Sequence, residues 1–312
     1  MQKITVVFAL ALLSSGSALA LDKPDWAFPS NTGLAPVERH DDGKPKQVAG
    51  STKTYTQKEI DSFNNPPDWF PNEHAPLPQI VAHGRDTQVR ACVGCHLATG
   101  QGHPENSRLP GGTPAYLTQQ LHDMKNGVRK GAGGAMFNFA KAMTEEEIKD
   151  AVNYFGNIKP TKWTRVVESA TVPKTYYEGG RRLQHPQGGT EPIGNRIIEV
   201  PEDPARVELR DPHSGFIAYV PPGSIAKGQL LVATGGDGKT VACTICHGPT
   251  LQGLGDVPAI AGQAPGTVAR QMYFISTGDR NGPWAQLMKQ VVAKLSNEDL
   301  INIAAYVGSL EP

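Results

Sequence analysis

The 312-residue chain carries four cysteines. They fall in two five-residue strings, Cys92-Val93-Gly94-Cys95-His96 and Cys243-Thr244-Ile245-Cys246-His247. Each string reads C-x-x-C-H, the spacing by which a c-type haem is attached. Two thiols three positions apart can form thioethers with the two vinyl groups on one porphyrin edge. The histidine that follows then offers its imidazole to the iron from the proximal side. A zinc site and a thioredoxin-like dithiol are the rival chemistries for paired cysteines. The adjoining histidine disfavours both, as does the export signal described next. The expected cofactors are two covalent haem c groups held by Cys92, Cys95, Cys243 and Cys246. His96 and His247 are the expected proximal ligands, and no thiol is left for a disulfide.

Lys3, the apolar run from Ile4 to Leu13 and the small residues of Ser17-Ala18-Leu19-Ala20 read as a Sec-type leader cut after Ala20. No Arg-Arg pair precedes the apolar run, which disfavours the twin-arginine route. The run is too short to span a bilayer, and no later stretch approaches the roughly 18 apolar residues that spanning takes. An exported mature chain without a transmembrane segment is expected, and with it a periplasmic location.

The motifs are separated by 151 residues, and at that offset the chain repeats itself. Gln120 falls opposite Gln271, Leu121 opposite Met272, and Arg129 opposite Arg280. After one inserted residue, Met136 matches Met288, Thr144 matches Ser296, and Tyr154 matches Tyr306. Each unit ends in a signalled helix. Thr144 and Glu147 form a capping box, followed by Ile148, Ala151, Val152 and Phe155 at helical spacing. Ser296 caps the second, with Leu300, Ile303, Ala304 and Val307 repeating the pattern; Asp299 in place of Glu makes a weaker box.

Two methionines compete for the distal iron position of the first unit. Met143 directly precedes the cap Thr144, with Ile148 at the fourth helical position, where a hydrophobic staple belongs. The second unit holds Leu295 and Leu300 at those places, and leucine cannot ligate iron. The repeat therefore assigns Met143 to packing. Met136 and Met288 each lie eight residues before their cap and are the expected distal ligands. Met124 and Met272 fall on predicted helices and are expected in the core. Should Met136 not ligate, His83 and His103 are the nearest substitutes. Carbonyls at Pro258 and, with a weaker signal, Pro110 are placed to accept the second imidazole N–H of each proximal histidine. Arg129 and Arg280 are candidates for the haem propionates, against the plainer role of solvated charges.

Thirty basic and thirty acidic residues give a net charge of zero, which argues against a nucleic-acid partner. The 34 glycines and 26 prolines imply many turns. Residues 21–76, rich in Pro, Asp and Trp, are expected to form an extended arm, with a short helix capped by Thr56. Residues 161–222 lack helical periodicity. Arg196–Val200 and Phe216–Val220 read as short strands between Pro and Gly residues, so a folded connector is expected.

The chain resembles the tandem class I dihaem cytochromes c. The resemblance rests on C-x-x-C-H, the Gly-rich loop that follows (Cys246-His247-Gly248 to Leu251-Gln252-Gly253), a proline, a distal Met and a capped terminal helix with Tyr. It covers roughly residues 77–160 and 223–312. The second unit matches better, because Leu97 stands where the pattern has Gly and the first proline loop reads Pro110-Gly111-Gly112. The implied fold is mainly α: a signal peptide (1–20), the arm (21–76), cytochrome c domain 1 (77–160), the connector (161–222) and cytochrome c domain 2 (223–312). The implied function is periplasmic electron carriage between a dehydrogenase or respiratory donor and a terminal acceptor. Protein redox partners follow: a dehydrogenase, a terminal oxidase or another cytochrome. A dihaem enzyme of the thiosulfate dehydrogenase or peroxidase kind is the alternative, and would need a labile or His distal ligand at the first haem. With His and Met on each iron, no position remains for substrate, which favours the carrier.

Overall fold

The computed structural model describes residues 21–30, 41–131 and 135–312; the leader expected over 1–20 lies outside them. Among its described residues the arm carries a short 3-10 turn (Asp25–Ala27) and one α-helical turn, α1 (Gln57–Ile60). A first helical unit follows: α2 (Gln79–Ala82), α3 (Val93–His96), α4 (Pro114–Lys125), α5 (Ala135–Ala142) and α6 (Glu145–Phe155). The connector contains β1 (Thr164–Glu168), β2 (Thr171–Pro173), β3 (Thr175–Glu178), β4 (Arg181–Gln184), β5 (Thr190–Pro192), β6 (Ile198–Pro201), α7 (Pro204–Glu208) and β7 (Phe216–Val220). The second unit repeats the first in order: α8 (Ser224–Thr234), α9 (Thr244–His247), α10 (Pro265–Thr277), α11 (Ala285–Val292) and α12 (Asn297–Ser309).

The local signals explain these helices. α4 and α10 both open on proline, whose fixed φ suits the first helical position. Thr144 and Glu147 close the capping box on α6. Ser296 and Asp299 close one just as fully on α12, with Ser296 N–H donating to Asp299 Oδ2 at 2.7 Å. The shorter Asp side chain reaches the cap as well as Glu does, so the box is not the weaker one expected. The apolar stripes behind these caps meet in two separate cores. One gathers Val81, Leu117, Met143, Ile148, Val152 and Phe155; the other gathers Val232, Met272, Leu295, Leu300, Ile303 and Val307. Met143 and Leu295 are both buried there, at 4% and 5% exposure, as a staple residue requires.

The mainly α expectation holds for the two units and not for the connector, which has seven strands where two were expected. β7 lies between β1, which it meets in parallel, and β6, which it meets antiparallel. β2 pairs with β5, and β3 with β4, each antiparallel. The arm also departs from a merely extended segment. Val48, Ile60 and Trp69 form a small core of its own, joined by Leu209 from the connector. The helix capped by Thr56 is present as α1, with its own capping box to Glu59.

Glu199 on β6 is buried where connector and second unit meet. Its Oε1 accepts the Gly266 N–H at the start of α10, at 3.1 Å. Burial pushes its pKa up to about 7, against the pull of Arg270, the Gly266 N–H and Arg182; Glu105 pushes with it. The unfolded chain loses this proton near the ordinary value of 4.5, whereas the folded chain keeps it to about 7. Stability should therefore fall as pH rises between these values, by up to about 3 kcal/mol, and then level off. Denaturant titrations from acid to neutral pH check this: Glu199→Gln, which keeps the acceptor, should remove that slope, and an unchanged slope would count against it.

Candidate functional site

Each C-x-x-C-H string forms one helical turn, which brings its two thiols to one face. The His96 N–H donates to the Cys92 carbonyl at 3.0 Å, and the His247 N–H to the Cys243 carbonyl at 2.9 Å. The residue after each histidine turns the chain out with positive φ: Gly248 at 83° and Leu97 at 59°. Glycine takes that conformation freely, while leucine is strained in it by on the order of 1–3 kcal/mol. This is the physical content of the departure at Leu97. Both loops then close alike, with the N–H of Gly102 on the His96 carbonyl and that of Gly253 on the His247 carbonyl, each at 2.9 Å.

His247 Nδ1 lies 2.9 Å from the Pro258 carbonyl, as expected. Pro110 does not play the matching part, because its carbonyl accepts Arg108 Nε. The residue facing His96 is Ser107, which follows its histidine by the same eleven positions as Pro258. Its carbonyl falls short of hydrogen-bond geometry, and His96 Nδ1 is buried without a partner. Burial depresses both imidazoles, His96 to about 4. Both are thus neutral at ordinary pH, the form in which imidazole ligates a metal.

One cavity of about 1190 Å³ runs between the two units. All four motif cysteines, His96, His247, Met136 and Met288 line it. Met143 and Met272 reach its wall as well, although both are buried in the cores. Met124 lines it too and does not appear in the first core. His83 and His103 are not among the lining residues. His83 is bonded to Asn65, and His103 lies between Glu105 and Asn106.

Where the units meet, the repeat produces a near-symmetric polar cluster. Arg129 donates to Gln120 Oε1 at 3.0 Å and to Gln271 Oε1 at 3.2 Å. Arg280 donates to Gln271 Oε1 at 3.1 Å, to Gln120 Oε1 at 2.9 Å and to the Tyr116 hydroxyl at 2.7 Å. Their backbones meet in an antiparallel bridge. Among the described residues neither guanidinium makes an ion pair, and Arg280 Nε is buried without a partner. Burial and the neighbouring Arg280 charge push the Arg129 pKa down to about 10. Two guanidiniums on the cavity wall, without an ion-pair partner among the described residues, are placed to receive carboxylates. The residues lining the cavity thus fit two haems: two thiol pairs, two neutral imidazoles, thioethers and two guanidiniums. Sequence reasoning did not find Arg108 or the Tyr116 hydroxyl; pairing of Arg and Gln at repeated positions was the available signal for this contact.

Residues 79–155 match the family model described as "Cytochrome C oxidase, cbb3-type, subunit III". The chain is 36% identical over 80 residues to cytochrome c-554(548) of Halomonas halodenitrificans, covering 25% of this chain and 96% of that protein. It is 24% identical over 225 residues to a thiosulfate dehydrogenase electron acceptor of Thiomonas intermedia, covering 71% of this chain and 79% of that one. Cytochrome c4 of Pseudomonas aeruginosa is 24% identical over 228 residues, covering 72% and 85%.

Proposed function

The chain belongs to the c-type cytochromes, and from that premise we propose that it is a tandem dihaem member that carries electrons in the periplasm between a dehydrogenase or respiratory donor and a terminal acceptor. Haem c supplies a reversible one-electron couple at iron. In this reading Cys92 and Cys95 hold one haem and Cys243 and Cys246 the other. His96 and His247 bind the irons from the proximal side, Met136 and Met288 from the distal side, and Arg129 and Arg280 hold propionates at the centre. The haem domains span 77–160 and 223–312, and the leader 1–20 directs export.

The observation that carries this reading is the shared cavity, whose lining includes both motifs and the two methionines Met136 and Met288. With a histidine and a methionine both holding it, each haem would have no position left for substrate at the metal, and the protein's work would be to set potentials and exclude water. The similarity to a protein described as an electron acceptor supports a carrier.

The test is a pyridine haemochrome count on denatured protein with a turnover assay on the native form. Two covalent haems per chain are expected, together with fast reduction and reoxidation by small redox reagents. One haem per chain would reject the cofactor assignment. Steady oxidation of thiosulfate or reduction of peroxide at enzymatic rates would reject the carrier in favour of a dihaem enzyme.

A further inference from the structure

The two motifs differ at matching positions, and their surroundings differ with them. Gly94 corresponds to Ile245, and Arg90 to Val241. At the second motif Ile245 is 67% exposed and Val241 43%, and Cys246 is exposed as well. The first motif lies under a cover drawn from two distant segments. Phe63 of the arm packs on Gly94 so closely that a β-carbon there would meet the Phe63 carbonyl at 3.2 Å and its ring at 3.4 Å. The Ala91 N–H donates to that carbonyl at 3.1 Å.

Arg210 of the connector donates to the Gly94 carbonyl at 2.6 Å. Its guanidinium lies over the Phe63 ring at 5.1 Å, and that of Arg90 at 4.7 Å. Both guanidiniums lie within cation–π reach of the Phe63 ring, which stays 41% exposed. The cover is also fastened from behind. Trp69 of the arm donates Nε1–H to the Leu209 carbonyl at 2.7 Å, next to Arg210, and both residues belong to the arm's small core. Glycine at 94 is what lets Phe63 sit down, whereas Ile245 would hold such a ring off.

We propose that Phe63 and Arg210 form a shield over the Cys95 edge of the first haem site, so that solutes meet the second haem directly at its Cys246 edge and the first only when the arm lifts. The two units are then unequal in access although equal in their haem-binding residues. This inference rests on haem being bound at both motifs.

The test uses the full-length holoprotein, with two haems per chain first established by pyridine haemochrome, so that a failure of the cofactor assignment shows separately. A neutral, soluble gadolinium chelate is titrated while the proton resonances of the haem thioether methyl groups are followed, assigned motif by motif, in the reduced protein. Broadening should be severalfold greater at the second motif than at the first. Phe63→Ala and Arg210→Gln should each raise broadening at the first motif and leave the second unchanged. Should Phe63→Ala fail to fold, Arg210→Gln carries the test, since it leaves the ring and the arm's small core in place. Equal broadening at both motifs in the unaltered protein, or no change at the first motif in a folded variant, would overturn the shield.

Discussion

Met288→Ala should abolish half of the weak red absorption band that arises from sulfur-to-iron charge transfer in the ferric protein, and Met136→Ala should abolish the other half. Thioether sulfur is a soft, weakly basic ligand that favours ferrous iron, so each substitution should also lower the potential of one haem only. Met143→Ala should leave both halves in place and act on stability instead. Three methionines line the cavity near the first haem site, so position alone does not choose among them. The cores separate two of them: Met143 is 4% exposed beside Ile148, and its counterpart Leu295 is 5% exposed beside Leu300. Truncating a thioether so fully packed costs about 2–5 kcal/mol. Met136 on α5 and Met288 on α11 are only partly buried, which leaves their sulfurs available to the cavity. A red band lost in Met143→Ala and retained in Met136→Ala would show that the repeat is misaligned in the first unit. A Met136→Ala protein unchanged in both spectrum and potential would return the choice to His83 or His103.

The readable features of this chain are those whose chemistry is local. C-x-x-C-H, the capping boxes at Thr144 and Ser296 and the staple before each cap need only a few consecutive residues. The repeat extended that reach, because a Leu at 295 tells what a Met at 143 is for. The connector was harder. β3 and β4 are mostly polar, with no alternation to mark them. Gly179 and Gly180 between them, both at positive φ, are the one signal of a tight hairpin turn. Apart from the repeated Arg and Gln pairs, long-range contacts were not legible. Nothing in Phe63-Asn64-Asn65 announces that its ring covers a glycine in another segment, and Pro110 and Pro258 look alike although only one holds its histidine. Such pairings depend on shape formed after folding, while a cap or an attachment motif carries its partner with it.

Arg108 is the extreme case of a residue known only by its distant partners, and Arg108→Met is expected to be the most damaging single substitution between the two units. The side chain is 7% exposed. Its Nε donates to the Pro110 carbonyl at 3.2 Å, Nη1 to Gly262 at 3.2 Å and Nη2 to Ala261 at 2.9 Å. The first acceptor follows His96 and the other two follow His247, so one guanidinium ties together both proximal loops. The Ala259 N–H donates back to the Gly111 carbonyl at 2.9 Å, and the Thr113 hydroxyl to Asp256 at 2.9 Å. Burial pushes the Arg108 pKa down to about 10, still far above neutrality, so the group is a buried cation. Its charge is spread over three carbonyl oxygens, with no carboxylate among these bonds. Methionine fills much of the volume and leaves all three carbonyls without their donor. Hydrogen bonds from a charged group contribute about 1.5–3 kcal/mol each and overlap when one side chain makes several, so a loss of about 3–5 kcal/mol is expected. That corresponds to a fall of roughly 5–10 °C in Tm for a chain of this size. Arg108→Lys keeps the charge but cannot fork to three acceptors, and should recover only part of the loss. Thermal unfolding followed at each haem's Soret band is the measurement. Losing this tie should let the units melt in two steps, whereas a single transition at the original temperature would mean that the other cross-links hold the units without Arg108.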